Sequence, residues 1–174
     1  MGRDMSTNDA LVQKLVHTVR LFNGFTPEDA RIFLAASRFE QHAAGKRLIM
    51  EGETSYEIYV LLSGMVSVKR KTGSTETELA SLGPGDTFGE LALLDFGTRS
   101  ASIDVTTDTR LLVADRASLF RLTSLEGKLY RNLAIMMASR LRETDTMLSE
   151  LATHAEHRAA FEKVASETSR FFVG

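Results

Sequence analysis

Between positions 44 and 86 turn signals cut the chain at intervals of about ten residues, and that punctuation constrains its fold more than any other feature. The separators are Ala44-Gly45, Glu51-Gly52-Glu53, Ser63-Gly64, Thr72-Gly73-Ser74 and Gly83-Pro84-Gly85-Asp86. Between them lie Leu48-Ile49-Met50 and the stretches 57–62, 65–69 and 77–82, short runs with a period near two that begins at Arg38. Beyond them Ser102-Ile103-Asp104-Val105-Thr106 alternates cleanly, and 110–114 supplies a partner strand. Short strands joined by glycine-marked turns predict an antiparallel sandwich or barrel.

Both flanks read as helix. Residues 8–22 carry Leu11, Val12, Leu15, Val16, Val19 and Leu21 near helical spacing, with Asn8 or Thr7 as cap and Asn23-Gly24 as stop. Thr26-Pro27-Glu28-Asp29 starts a second helix, with a hydroxyl at the cap, proline at the first position and acids in the first turn. It turns Ile32, Phe33 and Ala36 inward and ends near Ser37. After Asp115 the period returns to that of a helix: 116–123 is short, Ser124-Leu125-Glu126-Gly127 is a break, and a long helix begins at Lys128. Residues 151–172 hold no Pro or Gly, and either continue that helix or fold back as another. The divisions are thus 1–37 helical, 38–115 β, and 116–174 helical. Tyr130, Ala134, Met137, Leu141, Thr144, Leu148 and Leu151 advance in steps of four and three, which suits pairing with a second copy or packing on the chain's own β part.

With 174 residues the chain has the length of about one domain. A net charge of −2 gives no general electrostatic reason to bind nucleic acid or an anionic membrane, so neither partner is expected. Cysteine is absent, which removes disulfides and thiolate chemistry and fits a cytoplasmic protein. Met1-Gly2-Arg3-Asp4-Met5-Ser6 satisfies the bare myristoylation pattern, but so few specified positions make coincidence the expected explanation. Of the four histidines, His154 and His157 are three apart on a helix without an evident third ligand, so no metal is expected. A metal-dependent enzyme on a barrel needs ligands converging from strands, and here only His42 lies in the strand region. The chain is therefore not expected to be an enzyme.

The stretch 88–102 gathers the chemistry. Gly89 lets a neighbour approach its backbone, Glu90 accepts hydrogen bonds from a pair of hydroxyls, and 91–94 form one helical turn whose first N–H groups have no intrahelical partner. Arg99 brings a planar fork matched to two phosphate oxygens, and Ser100 adds a hydroxyl.

Phe88-Gly89-Glu90-Leu91-Ala92-Leu93 followed by Arg99-Ser100-Ala101-Ser102 resembles the phosphate-binding cassette of the cyclic nucleotide-binding domain family. Gly45, Glu51-Gly52-Glu53, Ser63-Gly64 and the approach Leu82-Gly83-Pro84-Gly85-Asp86-Thr87 extend the resemblance over most of the chain. It implies an α+β, mainly β fold: an antiparallel β-roll of double-stranded jelly-roll type, with N-terminal helices and a long C-terminal helix as lid. It implies that Gly89 and Glu90 hold the ribose, that the amides at Leu91 and Ala92 with Arg99 and Ser100 hold the cyclic phosphate, and that cAMP is preferred to cGMP. Ala101 completes the pattern. Phe88, Val68 and Leu79 are candidate pocket walls, and each could equally be plain core. Thr144, followed by Asp145 where the bacterial branch carries Ser, is the candidate contact to the base. One position departs: Tyr56 stands where relatives often carry a small or acidic residue that supports the arginine. No cofactor is implied beyond the nucleotide itself. The rival reading keeps the roll as a scaffold that binds protein partners and no nucleotide.

Overall fold

The computed structural model describes residues 4–171, with side chains over 9–153. Helix α1 (Asp4–Thr18) is followed by a 3-10 turn (Arg20–Phe22) and helix α2 (Pro27–Ala35). Contrary to the expected cap at Thr7 or Asn8, α1 starts at Asp4, since no Pro or Gly interrupts that run and an acid suits a helix start. At α2 the expected cap is present: the Asp29 N–H donates to Thr26 Oγ1 at 3.1 Å and the Thr26 N–H to the Asp29 carboxylate at 2.7 Å, with Pro27 in the first turn. Phe33 and Leu34 are buried, while Ile32 and Ala36 are only half-buried. Phe22 meets Phe25 and Phe33 edge-on, with centroids 5.2 and 5.0 Å apart, and closes the helical corner.

Six strands make one antiparallel sheet: β1 (Arg38–His42), β2 (Arg47–Ile49), β3 (Glu57–Thr72), β4 (Thr75–Leu82), β5 (Thr87–Phe88) and β6 (Ser102–Asp115). The order is β1-β6-β3-β4, with β2 added to β6 and β5 to β3. This is the expected β-roll, with helices before it and a long helix after it. Its core is built from Ile49, Tyr59, Leu61, Val66, Phe88, Ile103, Val105, Leu111 and Val113, and Val68 packs against that cluster.

Two expected strand breaks are absent. Ser63-Gly64 makes no hairpin and 107–109 makes no turn; each lies inside a long strand, β3 or β6, and the two pair from Glu57 opposite Asp115 to Lys69 opposite Ser102. Register shifts between Leu61 and Val66 absorb the irregularity as bulges. Gly64 has φ +86, and a Cβ there would stand 2.4 Å from both the Asp108 carbonyl oxygen and Thr109 Oγ1. The glycine thus serves close contact between strands, where a turn was expected.

Arg47 ties three strands at the rim of the roll. Its guanidinium holds Asp104 on β6 at 2.7 Å and Glu76 on β4 at 2.8 Å, and Lys69 on β3 adds a third link to Asp104 at 3.0 Å. The hydrogen bond from Arg47 brings the Asp104 carboxyl from 3.8 down to about 2, against a smaller opposing effect of burial. A depressed carboxylate stabilises the fold above its unfolded value and loses that contribution as pH falls through its folded value. The urea midpoint of the wild type should therefore exceed that of Asp104→Asn at neutral pH, with the gap closing between pH 3.8 and about 2. A gap constant across that window would remove Asp104 from the pH response.

Helix α4 (Arg116–Phe120) is capped by Asp115, whose carboxylate accepts the Ser118 N–H at 2.9 Å. It ends before the expected 123. Helix α5 (Glu126–Phe171) continues without folding back, which settles the alternative left open by the sequence. The chain divides into two compact units between Leu133 and Ala134. In the first, the root of α5 is fastened: Leu129 and Leu133 are buried, Lys128 pairs with Asp29, and Asn132 Nδ2 donates to the Leu21 and Asn23 carbonyls, both at 2.8 Å. In the second, α5 carries Leu141, Leu148 and Leu151 exposed.

Candidate functional site

Strand β5 delivers the site. Its two residues pair with β3, Phe88 opposite Tyr59 and Thr87 opposite Val60, and the chain then turns sharply at Gly89 into helix α3 (Glu90–Asp95). Gly89 adopts φ +85, a region an L side chain resists, at the position capping α3. The expectation that Gly89 admits a ligand is refined by what crowds it. A Cβ there would lie 2.6 Å from the Glu57 carbonyl oxygen, 2.7 Å from Arg99 Nη1 and 3.2 Å from Tyr59 Cδ2. The protein's own atoms, the Glu57 carbonyl and the Arg99 guanidinium foremost, occupy the space a side chain would need.

Arg99 is 3% exposed and is held at three N–H groups. Its Nε donates to Ser55 Oγ at 2.8 Å, and Nη1 donates to the Glu57 and Gly89 carbonyls, both at 2.9 Å. The guanidinium lies 5.7 Å from the centroid of the Tyr59 ring, which stacks on Phe88 at 4.9 Å. Burial pushes the Tyr59 phenol well up, and its hydrogen bond to the Glu57 carboxylate at 2.6 Å adds to that, so the ring stays neutral beside the cation. Nη2 is buried and has no hydrogen-bond partner among the described residues. A buried donor without an acceptor is costly, so this edge is suited to an anion.

The main chain pins the arginine as firmly. The Arg99 N–H donates to the Glu53 carbonyl and the Gly52 N–H to the Arg99 carbonyl, each at 2.9 Å. Ser102 Oγ accepts the Glu51 N–H at 3.0 Å. The loop between β2 and β3 is therefore bonded along its length to the end of the cassette.

Around this centre the other expected residues fall in distinct places. Glu90 opens α3 and is 2% exposed, a buried carboxyl at the helix start. Ala92 is buried, Leu91 and Ser100 face outward, and Ala101 is half-buried. Phe88 is core and Val68 packs on it, whereas Leu79 is 53% exposed where β4 bulges between the pairs Val68–Ala80 and Lys69–Glu78. Thr144 and Asp145 belong to the second unit, where Thr144 Oγ1 donates to the Arg140 carbonyl at 2.9 Å and the Asp145 carbonyl accepts from Ser149 at 2.9 Å. Tyr56 does not face the arginine: it meets Phe96 edge-on at 6.2 Å, and its hydroxyl reaches the Phe96 carbonyl at 3.4 Å.

Sequence reasoning missed Ser55, Tyr59 and the Glu57 carbonyl. A backbone acceptor has no sequence signal, and Ser55 stands 44 positions from Arg99 with nothing in its local sequence to mark it. His42 is engaged by Glu40 and Lys46, each at 2.8 Å, and among the described residues no group of three metal-ligating side chains forms. His154 and His157 lie outside the described side chains, and the Met1-Gly2 pattern outside the described residues. Among the described residues no helix is long and apolar enough to cross a membrane.

The cassette thus holds a buried guanidinium, with one edge lacking a hydrogen-bond partner among the described residues, and a buried carboxyl at a helix start, a set of groups that suits a ligand carrying one anion and neighbouring hydroxyls. Comparison with known proteins points the same way. The family model described as a cyclic nucleotide-binding domain matches residues 39–125. The chain is 37% identical over 143 residues to the cyclic AMP receptor protein of Thermus thermophilus, covering 81% of this chain and 66% of that protein. It is 29% identical over 132 residues to a CRP-like cAMP-activated global transcriptional regulator of Mycobacterium tuberculosis, covering 75% of this chain and 59% of that one. The crystal structure of the Thermus thermophilus catabolite activator protein superposes with a TM-score of 0.71 at 37% identity, over 76% of this chain and 63% of that one.

Proposed function

The chain belongs to the cyclic nucleotide-binding domain family, and from that premise we propose that it is a sensor of cyclic nucleotide that prefers cAMP to cGMP. The observation that carries this reading is Arg99 Nη2, a buried cationic edge with no protein acceptor among the described residues. Under it, the cyclic phosphate takes that edge together with the Leu91 and Ala92 amides and Ser100, while Glu90 takes the ribose hydroxyl beside Gly89. Phe88, Val68, Leu79 and Ala101 surround the nucleotide. The preference for cAMP is supported by the names of the two relatives, a cyclic AMP receptor and a cAMP-activated regulator.

The output is a population shift: nucleotide binds better to the state in which the C-terminal helix, through Thr144 and Asp145, covers the base. A homodimer through that helix agrees with the exposed Leu141, Leu148 and Leu151. The role is that of a regulatory module, and the nucleotide is its ligand. The chain spans about three-fifths to two-thirds of the length of the two curated relatives. One of these is a transcriptional regulator, so the expectation of a protein without a nucleic-acid partner is not carried forward.

Calorimetric titration with cAMP and then cGMP tests the reading. A dissociation constant on the order of 1 μM or tighter for cAMP, and a weaker one for cGMP, is the expected result. Two flat titrations of a folded, nucleotide-free sample would leave the β-roll as a scaffold for protein partners.

A further inference from the structure

A guanidinium carries five N–H groups in a rigid plane, so fixing three of them aims the other two. In Arg99 the Nε proton goes to Ser55 Oγ and the two Nη1 protons to the Glu57 and Gly89 carbonyls, leaving both protons of Nη2. The two carbonyls hold only Nη1, and a group held at one nitrogen can still pivot about it. The third point, at Nε, removes that freedom, and among the described residues the only side chain supplying it is Ser55.

We propose that Ser55 is the positioning residue of Arg99, the group that aims the Nη2 edge at an incoming anion; the proposal rests on the reading of this site as a cyclic-nucleotide site. Ser55 is well placed for the task. It is half-buried, and its loop is bonded to the main chain of Arg99 on both sides of the peptide, through Gly52 and Glu53. Its own hydroxyl proton points to Glu53 Oε1 at 3.3 Å, which turns an oxygen lone pair toward the arginine. Ser55 also does what a carboxylate could not. A neutral acceptor orients the guanidinium at Nε without forming a direct ion pair there. The consequence is a division of labour in the affinity: Ser55 acts on the anionic part of the ligand and not on the base or the ribose.

The test combines two measurements on the full chain. In the first, without ligand, the Arg99 Nε–H proton is observed by ¹⁵N-edited NMR; it should exchange slowly in the wild type and in Ser55→Thr, which keeps the hydroxyl, and rapidly in Ser55→Ala. In the second, cAMP and adenosine are titrated. Ser55→Ala should weaken cAMP about 10-fold, the scale of one hydrogen bond to a charged group, leave adenosine unchanged, and lower the melting temperature by only a few degrees, the cost of one unpaired buried N–H. Ser55→Thr should restore cAMP binding. Unchanged Nε–H exchange in Ser55→Ala overturns the positioning role whether or not nucleotide binds. Equal losses for cAMP and adenosine overturn it too, since they mark a general disturbance of the fold. Exchange that responds as expected in a protein silent to both ligands would uphold Ser55 as the group that aims Arg99, and would overturn the nucleotide reading alone.

Discussion

Arg99→Ala is expected to weaken cAMP binding by about 2–5 kcal/mol, roughly 30-fold to several-thousand-fold. The size follows from burial. At 3% exposure the guanidinium meets its ligand away from water, where screening is weak, and truncation leaves the phosphate in a desolvated site with its strongest partner gone. The variant should also lose stability, because the Glu57 and Gly89 carbonyls each give up a donor. Arg99→Lys separates the two effects. It keeps the charge but has no planar fork, so it should recover part of the affinity while losing the simultaneous hold on Ser55, Glu57 and Gly89. Titration calorimetry beside circular dichroism melts reads both quantities. A folded Arg99→Ala protein with the wild-type dissociation constant would sink the phosphate assignment.

Gly89→Ala is expected to fail for a different reason, and to fail twice. The left-handed backbone at φ +85 costs an alanine about 1–2 kcal/mol, and overpacking typically adds about 1–3 kcal/mol more. The atoms in the way are the Glu57 carbonyl and the Arg99 guanidinium, so relief requires moving either β3 or Arg99. Binding should fall with stability. Gly45→Ala is the control, since φ there is +88 and nothing lies within 4 Å of the added carbon. That variant should show the backbone cost alone and retain nucleotide. Equal losses of stability and affinity in the two variants would remove the contact between Gly89 and Arg99 from the account.

What the sequence made legible is what is local. The Thr26 capping box reads directly because donor and acceptor stand three residues apart, and Glu90 and Arg99 read directly because the cassette is one contiguous stretch. The bulge at Gly64 did not. A glycine at positive φ looks the same in a hairpin as in a strand, and the difference is made by Asp108 and Thr109, more than forty positions away on β6. The break expected near 107–109 failed for the same reason, since only pairing with β3 shows that β6 runs through. At the site, the cassette residues Glu90 and Arg99 were legible, but the atoms that hold Arg99 were not, because two are backbone carbonyls and the third is a serine 44 positions distant.

The bonded loop between β2 and β3 has a practical side for anyone building a reporter from this protein. Glu53 and Gly52 are exposed and look like a surface turn open to insertion, yet a fluorescent module spliced there would separate Arg99 from the groups that hold its main chain and side chain. The hairpin joining β3 to β4 is the better splice point. Gly73 has open space around it, and its neighbours end both strands in solvent, so cargo there leaves the arginine's cradle whole.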